Sequence, residues 1–405
     1  MFVTHLECSL TGERYEAGRP HNLSKAGKPL LVRYDLDAVA RALTKDKLAG
    51  REPGMWKWRE LLPMPEGCEP VSLGEPETPI IPLTKTGGPN LLVKDEGRLP
   101  TGSFKARGLG MAVTKARTLG VKGLMIPSAG NAGGAAAVYG ARAGVPVAVV
   151  VPRGTPEAAV AEAIIAGAYV FTVDGSIATA GRLIARVAPA LGWFDLATLK
   201  EPYRLEGKKT MGLELAEQLD WDTPDVLMYP TGGGTGLVGI WKAYEELAAM
   251  GWVKSPPPRF VAVQAEGCAP VVKAWEDKAE TTAMWENPVT HAAGLRVPGP
   301  FAGRQMLRIL RESGGTAQAV SEDEIIAAQH LLGRLEGIWT APESAAALAA
   351  LLRLRAMGEV GPRERVVIML TGCGFKYPAP PLPAPVHLEG SESAILDAVR
   401  RAIGA

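Results

Sequence analysis

The sequence predicts an α/β protein of two open, mostly parallel-sheet domains with the functional site between them. Three observations carry that reading. Between Ala106 and Ala197, apolar runs of strand length alternate with Ala-rich helical stretches, a pattern that implies parallel strands joined by right-handed crossovers. Further strand runs, Asp225 to Tyr229, Arg259 to Gln264 and Arg365 to Leu370, lie downstream among helical segments and belong to a second, larger sheet. The chain has 405 residues, enough for two domains with real cores.

In chain order, residues 1–105 form the first part of the large domain and open with a small antiparallel meander over 1–35 that ends on Leu30 to Tyr34. Met55 to Pro79, rich in Pro, Trp and Glu, reads as a wrapping loop with a short helix near Trp56 to Arg59, in which Trp56 and Trp58 are packing residues. Residues 106–198 form the small domain. Its strands are Gly123 to Ile126, Val145 to Val151 and Tyr169 to Val173, and its helices include Ala135 to Ala143 and Pro156 to Ala166. Residues 199–376 return to the large domain, where a helix from Ser321 to Glu336 starts on a Ser-x-x-Glu capping box. Residues 377–405 are a proline-rich strap followed by an amphipathic helix from Ser391.

The chemistry centres on Lys94 to Gly108. A strand-like Leu91-Leu92-Val93 run gives way to a turn, and Ser103 stands at a helix N-cap position with Lys105 in the first helical turn. The positive end of the helix dipole disfavours an ammonium there and holds the amine closer to its neutral, nucleophilic form. Such a lysine forms Schiff bases with carbonyl compounds. Downstream, the strand ending at Pro230 runs into Thr231-Gly232-Gly233-Gly234-Thr235-Gly236 and then a helix, an arrangement that lets backbone N–H groups and the helix N-terminus converge on a phosphate. No Lys-Ser or Lys-Thr follows these glycines, so a nucleotide P-loop is excluded. A third strand-to-helix turn, Ser128-Ala129-Gly130-Asn131-Ala132, offers an amide to a ring oxygen and backbone N–H groups to a carboxylate.

These motifs, with Glu206-Gly207-Lys208-Lys209-Thr210 and Thr371-Gly372-Cys373-Gly374-Phe375-Lys376, resemble in order and spacing the pyridoxal-phosphate enzymes of the tryptophan-synthase β-like fold (fold type II), and among them the threonine synthases most closely. The resemblance runs from about Leu6 to Lys376. It implies pyridoxal 5'-phosphate as cofactor, held on Lys105, with its phosphate on Gly232, Gly233, Gly234, Thr235 and Gly236. Asn131 would lie against the ring 3-oxygen and the Thr371 hydroxyl would face the pyridine nitrogen. The implied substrate is O-phosphohomoserine, with its carboxylate on Ser128, Ala129, Gly130 and Ala132. Its phosphate then needs a second site, for which Thr101, Ser103 and Arg107 are the local candidates, with Lys94 and Arg153 further off. The resemblance also implies a homodimer and domain closure about a hinge between Leu196 and Arg204.

Departures from the family pattern leave the cofactor site intact and loosen the choice of substrate. Lys105-Ala106-Arg107-Gly108 stands where many threonine synthases have Lys-Asp-Arg-Gly, and Cys373 where several have His. The N-terminal Cys8-Ser9-Leu10-Thr11-Gly12 resembles a half zinc ribbon whose second cysteine is Thr11, so no metal is expected. A serine or threonine dehydratase, a cysteate synthase-like enzyme and a silent regulatory homologue fit the same motifs.

Composition excludes other classes. With 47% hydrophobic residues, 21% charged and a net charge of +1, there is no electrostatic case for nucleic acid or an anionic membrane. No apolar run reaches a membrane span and Met1 to Leu10 lacks the features of a signal peptide, so a cytoplasmic protein is expected, with Cys8, Cys68, Cys268 and Cys373 as reduced thiols.

Overall fold

The computed structural model describes residues 2–155, 157–388 and 390–403. A six-stranded sheet runs in the order Thr316–Val320, Arg259–Ala265, Val226–Pro230, Val366–Leu370, Leu91–Asp95, Ile80–Pro82. All neighbours are parallel except the last pair, which is antiparallel. Strands Val226–Pro230 and Val366–Leu370 are buried at every position, as expected for a parallel sheet covered on both faces. One face carries helices Tyr203–Gln218, Thr235–Ala249 and Gly303–Glu312, the other Glu322–Glu336 and Pro342–Ala356.

A second sheet is wholly parallel, in the order Tyr169–Val173, Val147–Pro152, Leu124–Pro127, Phe194–Asp195. It is built entirely between Leu124 and Asp195, with helices Asn131–Ala143, Glu157–Ile165 and Ile177–Leu191 as crossovers. The helix read from Pro156 begins at Glu157, Pro156 lying outside the described residues. The strand Phe194–Asp195, which the sequence reading lacked, is only two residues long and leaves almost no periodicity to read.

The meander forms as read, a three-stranded antiparallel sheet in the order Arg14–Tyr15, Val3–Cys8, Leu30–Tyr34. Its apolar residues Leu6, Cys8, Leu30 and Val32 share a core cluster with Leu109, Val113, Leu124 and Tyr139, so it packs on the smaller sheet's side. Within it the Cys8 thiol donates to Ser24 Oγ at 3.1 Å and takes the Thr11 N–H at 3.5 Å. The Ser321 capping box is present, closing the N-terminus of Glu322–Glu336.

Candidate active site

Parallel sheets place their binding loops beyond the carboxyl ends of the strands. In the larger sheet the loops starting at Glu96, Thr231 and Thr371 leave the same edge, because strands Leu91–Asp95, Val226–Pro230 and Val366–Leu370 run side by side in one direction. Two of these loops are bonded to each other. Phe104 N–H donates to the Thr371 carbonyl at 3.0 Å and Cys373 N–H to the Gly102 carbonyl at 2.9 Å, while Thr371 N–H donates to Ser344 Oγ at 2.9 Å. Thr371 and Lys105 are thereby held at one place although 266 positions separate them in sequence.

Lys105 is the first residue of helix Lys105–Thr118. Phe104, not Ser103, precedes it, with no side-chain cap; the Ser103 hydroxyl is fully buried and without a partner among the described residues, as is that of Thr101. The Lys105 Nζ lies 3.8 Å from the centroid of the Phe104 ring. Burial, with the Arg204 and Lys376 cations nearby, lowers its pKa to about 7, against the opposing pull of Glu343. The free amine is therefore well populated at neutral pH.

The glycine loop begins at Thr231 and leads into helix Thr235–Ala249. Gly234 sits at φ +80°, a conformation that disfavours any side chain, and a Cβ on Gly232 would collide with the Gly294 carbonyl. A Cβ on Gly233 would come within 3.0 Å of Thr198 Cγ2, and one on Gly236 would overlap the Tyr229 hydroxyl. The loop is thus a tight backbone cradle at a helix N-terminus, the arrangement that takes a phosphate. A buried amine of lowered pKa, this cradle and two orphaned hydroxyls together fit a phosphorylated aldehyde cofactor.

The smaller sheet contributes the turn Ser128 to Ala132 at the N-terminus of helix Asn131–Ala143. Ser128 Oγ accepts the Gly133 N–H at 3.0 Å, which fixes the turn. The Asn131 amide donates to the Tyr377 hydroxyl at 2.9 Å. That hydroxyl in turn lies against the buried carboxyl of Glu343, whose Oε1 accepts the Gly294 N–H at 2.5 Å and whose pKa burial raises. Lys376 closes the same seam, donating to Glu162 at 2.6 Å and to the Thr101 carbonyl at 2.8 Å.

Three of the residues read as phosphate ligands, Arg107, Lys94 and Arg153, are placed elsewhere. Arg107 is wholly buried and donates to Glu96, Glu214, Thr78 and Thr210 over 2.6 to 3.1 Å, so all five of its N–H groups are used. Lys94 joins the same network through Glu214 at 3.1 Å and Gln218 at 2.9 Å. Arg153 is exposed and pairs with Asp174 at 2.9 Å. The sequence reading took a cation near the lysine as a ligand, whereas helix Lys105–Thr118 turns residue 107 into the core, where buried carboxylates await it.

The structure instead brings Arg204 and Lys208 to Lys105. Arg204 is 1% exposed; its Nη1 donates to the Leu196 carbonyl at 2.6 Å, and its Nε has no partner among the described residues. Glu201 accepts the N–H of Tyr203 at 2.7 Å and that of Arg204, capping helix Tyr203–Gln218. Glu206 and Lys209 of the same motif are structural, in a buried cluster with Lys242, Glu246 and Tyr34. Sequence reasoning had the motif but no means of sorting its two lysines. Glu343 and Tyr377 gave no signal, lying in an Ala-rich helix and a proline-rich tail.

A buried amine of lowered pKa beside a phosphate cradle is the geometry of an enzyme that works with an aldehyde cofactor. Residues 71–372 match the family described as pyridoxal-phosphate dependent enzyme, and the chain belongs to that family. The fold is that of maize serine racemase, with a TM-score of 0.64, 20% identity and coverage of 81% of this chain and 93% of that one. The chain is 39% identical over 380 residues to threonine synthase of Methanosarcina acetivorans, covering 92% of each. It is 34% identical over 376 residues to threonine synthase of Methanocaldococcus jannaschii, again covering 92% of each. Within the family it stands with the threonine synthases, and its cofactor is pyridoxal 5'-phosphate.

Proposed function

We propose that the cleft converts O-phospho-L-homoserine and water to L-threonine and phosphate. The observation that carries this is a second buried cation near Lys105, Arg204, in addition to the glycine cradle. With the cradle committed to the cofactor phosphate, the buried Arg204, its Nε unpartnered, faces the Lys105 end of the cleft and suits a second phosphate. The bound cofactor supplies an electron sink for charge developing at the substrate's Cα.

The protein's own residues do the rest. Lys105 is the base and acid that moves protons at Cα and Cβ, a task that needs it unprotonated. The Ser128 to Ala132 turn would hold the carboxylate and Asn131 the ring oxygen, which requires its amide to leave Tyr377. Thr371 would offer the pyridine nitrogen a hydroxyl rather than a carboxylate. Of residues 106–198, the smaller sheet and its crossover helices, Leu124 to Asp195, act as the closing unit, while helix Lys105–Thr118 stays with the larger sheet through Arg107; the hinge lies between Leu196 and Arg204, where Leu199 takes a positive φ of 58°. Closure excludes water until the addition step.

Phosphate release and product analysis with O-phosphohomoserine, alongside L-threonine and L-serine, tests this reading. Threonine with stoichiometric phosphate is the expected result. Oxo acid and ammonia from threonine or serine, with phosphohomoserine inert, would make the protein a dehydratase. The same reading takes the enzyme as a cytoplasmic homodimer. It is supported by the family resemblance and by four free cysteines, and light scattering of the purified protein checks the oligomeric state. Among the described residues no helix is long and apolar enough to cross a membrane.

A further inference from the structure

We propose that Lys208 is the seat of the substrate's own phosphate, taking up a proton as the dianion arrives and returning it to the phosphate as it leaves. This rests on the phosphorylated-substrate reading above.

The argument starts from how this chain treats its buried lysines. Lys94, Lys209 and Lys242 each have at least one carboxylate oxygen within 3.1 Å. Lys208 is 1% exposed and, among the described residues, makes neither a hydrogen bond nor an ion pair. A buried amine with no acceptor is a costly feature unless something else occupies its donors. Its position says what. The Lys208 Nζ lies 4.4 Å from the centroid of the Phe104 ring, the same ring that Lys105 Nζ meets at 3.8 Å. Gly108 makes the approach possible, because a Cβ there would stand 3.0 Å from Lys208 Cε and 2.9 Å from the Arg204 carbonyl.

The charged groups around Lys208 are Lys105 from helix Lys105–Thr118, Arg204 one turn before it in its own helix, and Glu201 just ahead of that helix. Glu201 is engaged as the helix cap, and burial raises its own pKa to about 7, so the surroundings are net cationic. Burial first, then Arg204 and Lys105, hold the Lys208 amine well below the ordinary lysine range. An arriving phosphate dianion reverses the local field and supplies the missing acceptors, and an ammonium bonded to it is the stable form.

The balance is simple. Uncharged Lys208, one proton from solvent and the phosphate dianion give an ammonium paired with the ester. When the Cγ–O bond breaks, its electron pair goes to the phosphate oxygen, the Lys208 proton joins that oxygen, and hydrogen phosphate leaves beside the uncharged amine. Lys208 is thus a catalytic residue for the leaving group as well as a specificity residue for phosphate esters.

The test uses holoenzyme, in which the cofactor fills the glycine cradle, and inorganic phosphate as the probe. Titration calorimetry at about pH 8, where phosphate is mostly dianionic, in two buffers of different ionisation enthalpy counts protons. Wild type is expected to take up roughly one proton per phosphate bound. Lys208→Gln is expected to bind phosphate about tenfold or more weakly with no uptake, and Lys208→Arg, permanently charged, to bind it with no uptake. Wild-type affinity and uptake in Lys208→Gln, or equal uptake in Lys208→Arg, would overturn the proposal. If phosphohomoserine is turned over equally by wild type and Lys208→Gln, this inference fails and the threonine synthase reading stands. If phosphate binds with Lys208-dependent proton uptake but phosphohomoserine is inert, the phosphate seat stands and the substrate reading fails.

Discussion

Arg107 Nη1 lies 2.6 Å from Glu214 Oε1, and both side chains are completely buried. Arg107 leaves the same helical turn as Lys105, yet the two serve opposite ends of the fold, one the core and the other the cleft. The pair, with Glu96 and Lys94, ties helix Lys105–Thr118 to helix Tyr203–Gln218 and to the edge of the larger sheet. Arg107 stays charged, its guanidinium stabilised by two carboxylates, and Glu214 is held down to about 2 by Arg107 and Lys94 despite its burial.

Replacing Arg107 by Met leaves the buried Glu96 without a cation and Glu214 with Lys94 alone. The expected loss is about 3–5 kcal/mol of stability, read as a lower denaturant midpoint, with KM for phosphohomoserine unchanged in the protein that remains folded. A raised KM at undiminished stability would return Arg107 to the substrate site.

The Lys105 amine sets an acid limb on turnover. The amine must be unprotonated to act as base, so kcat is expected to fall as pH drops through about 7. The Glu343 carboxylate raises the Lys105 pKa, and Glu343→Gln is therefore expected to move that limb to lower pH. A pH profile of kcat for both proteins decides, and an unmoved limb removes Glu343 from the electrostatics of the site.

Stability of the apoprotein carries the same signature. The folded-state pKa of Lys105 lies at about 7 and the ordinary lysine value near 10.5, so between those limits the unfolded chain binds the extra proton and stability from this group rises with pH. Its cost is full below about pH 7 and gone above about pH 10.5. Lys105→Met apoprotein is expected to be more stable than wild type at pH 6 and to lose that advantage at high pH, in paired denaturant titrations.

A methyl group in the cradle should evict the cofactor phosphate. Gly232→Ala meets the Gly294 carbonyl and Gly236→Ala the Tyr229 hydroxyl, contacts that only backbone or core movement can relieve. Cofactor retention on dialysis, followed by the visible absorption of the bound cofactor, is expected to fall about tenfold or more while far-ultraviolet dichroism stays native. Full retention would place the phosphate elsewhere.

Tyr377 competes with the cofactor for Asn131. Removing the hydroxyl in Tyr377→Phe frees the Asn131 amide, at a cost of about 1–3 kcal/mol to the apoprotein for the hydrogen bonds lost to Asn131 and to the Glu343 carboxyl. Cofactor affinity is expected to rise by up to about tenfold. Weaker cofactor binding in this variant would mean that the hydroxyl supports the loaded site instead.

The sequence alone determined the local features. Alternating apolar and helical runs specified two parallel sheets, because each strand's burial and each crossover's handedness are set by its own few residues and neighbours. Lys105, the glycine cradle and Asn131 were legible for a related reason: each sits at a strand-to-helix turn, whose chemistry depends on backbone conformation written in adjacent residues. Tertiary structure decided which charges face the cleft. Arg107, Arg204, Lys208 and Lys209 all lie on helices packed between two sheets, and a rotation of about 100° per residue sends neighbours in sequence to different surroundings. Lys209 meets carboxylates from Glu206 and Glu246, and Lys208 meets Phe104 and the cleft. Glu343 and Tyr377 joined the site from segments whose composition is apolar or proline-rich, because a buried polar group is selected by the partner across the interface and leaves no period in its own strand of sequence.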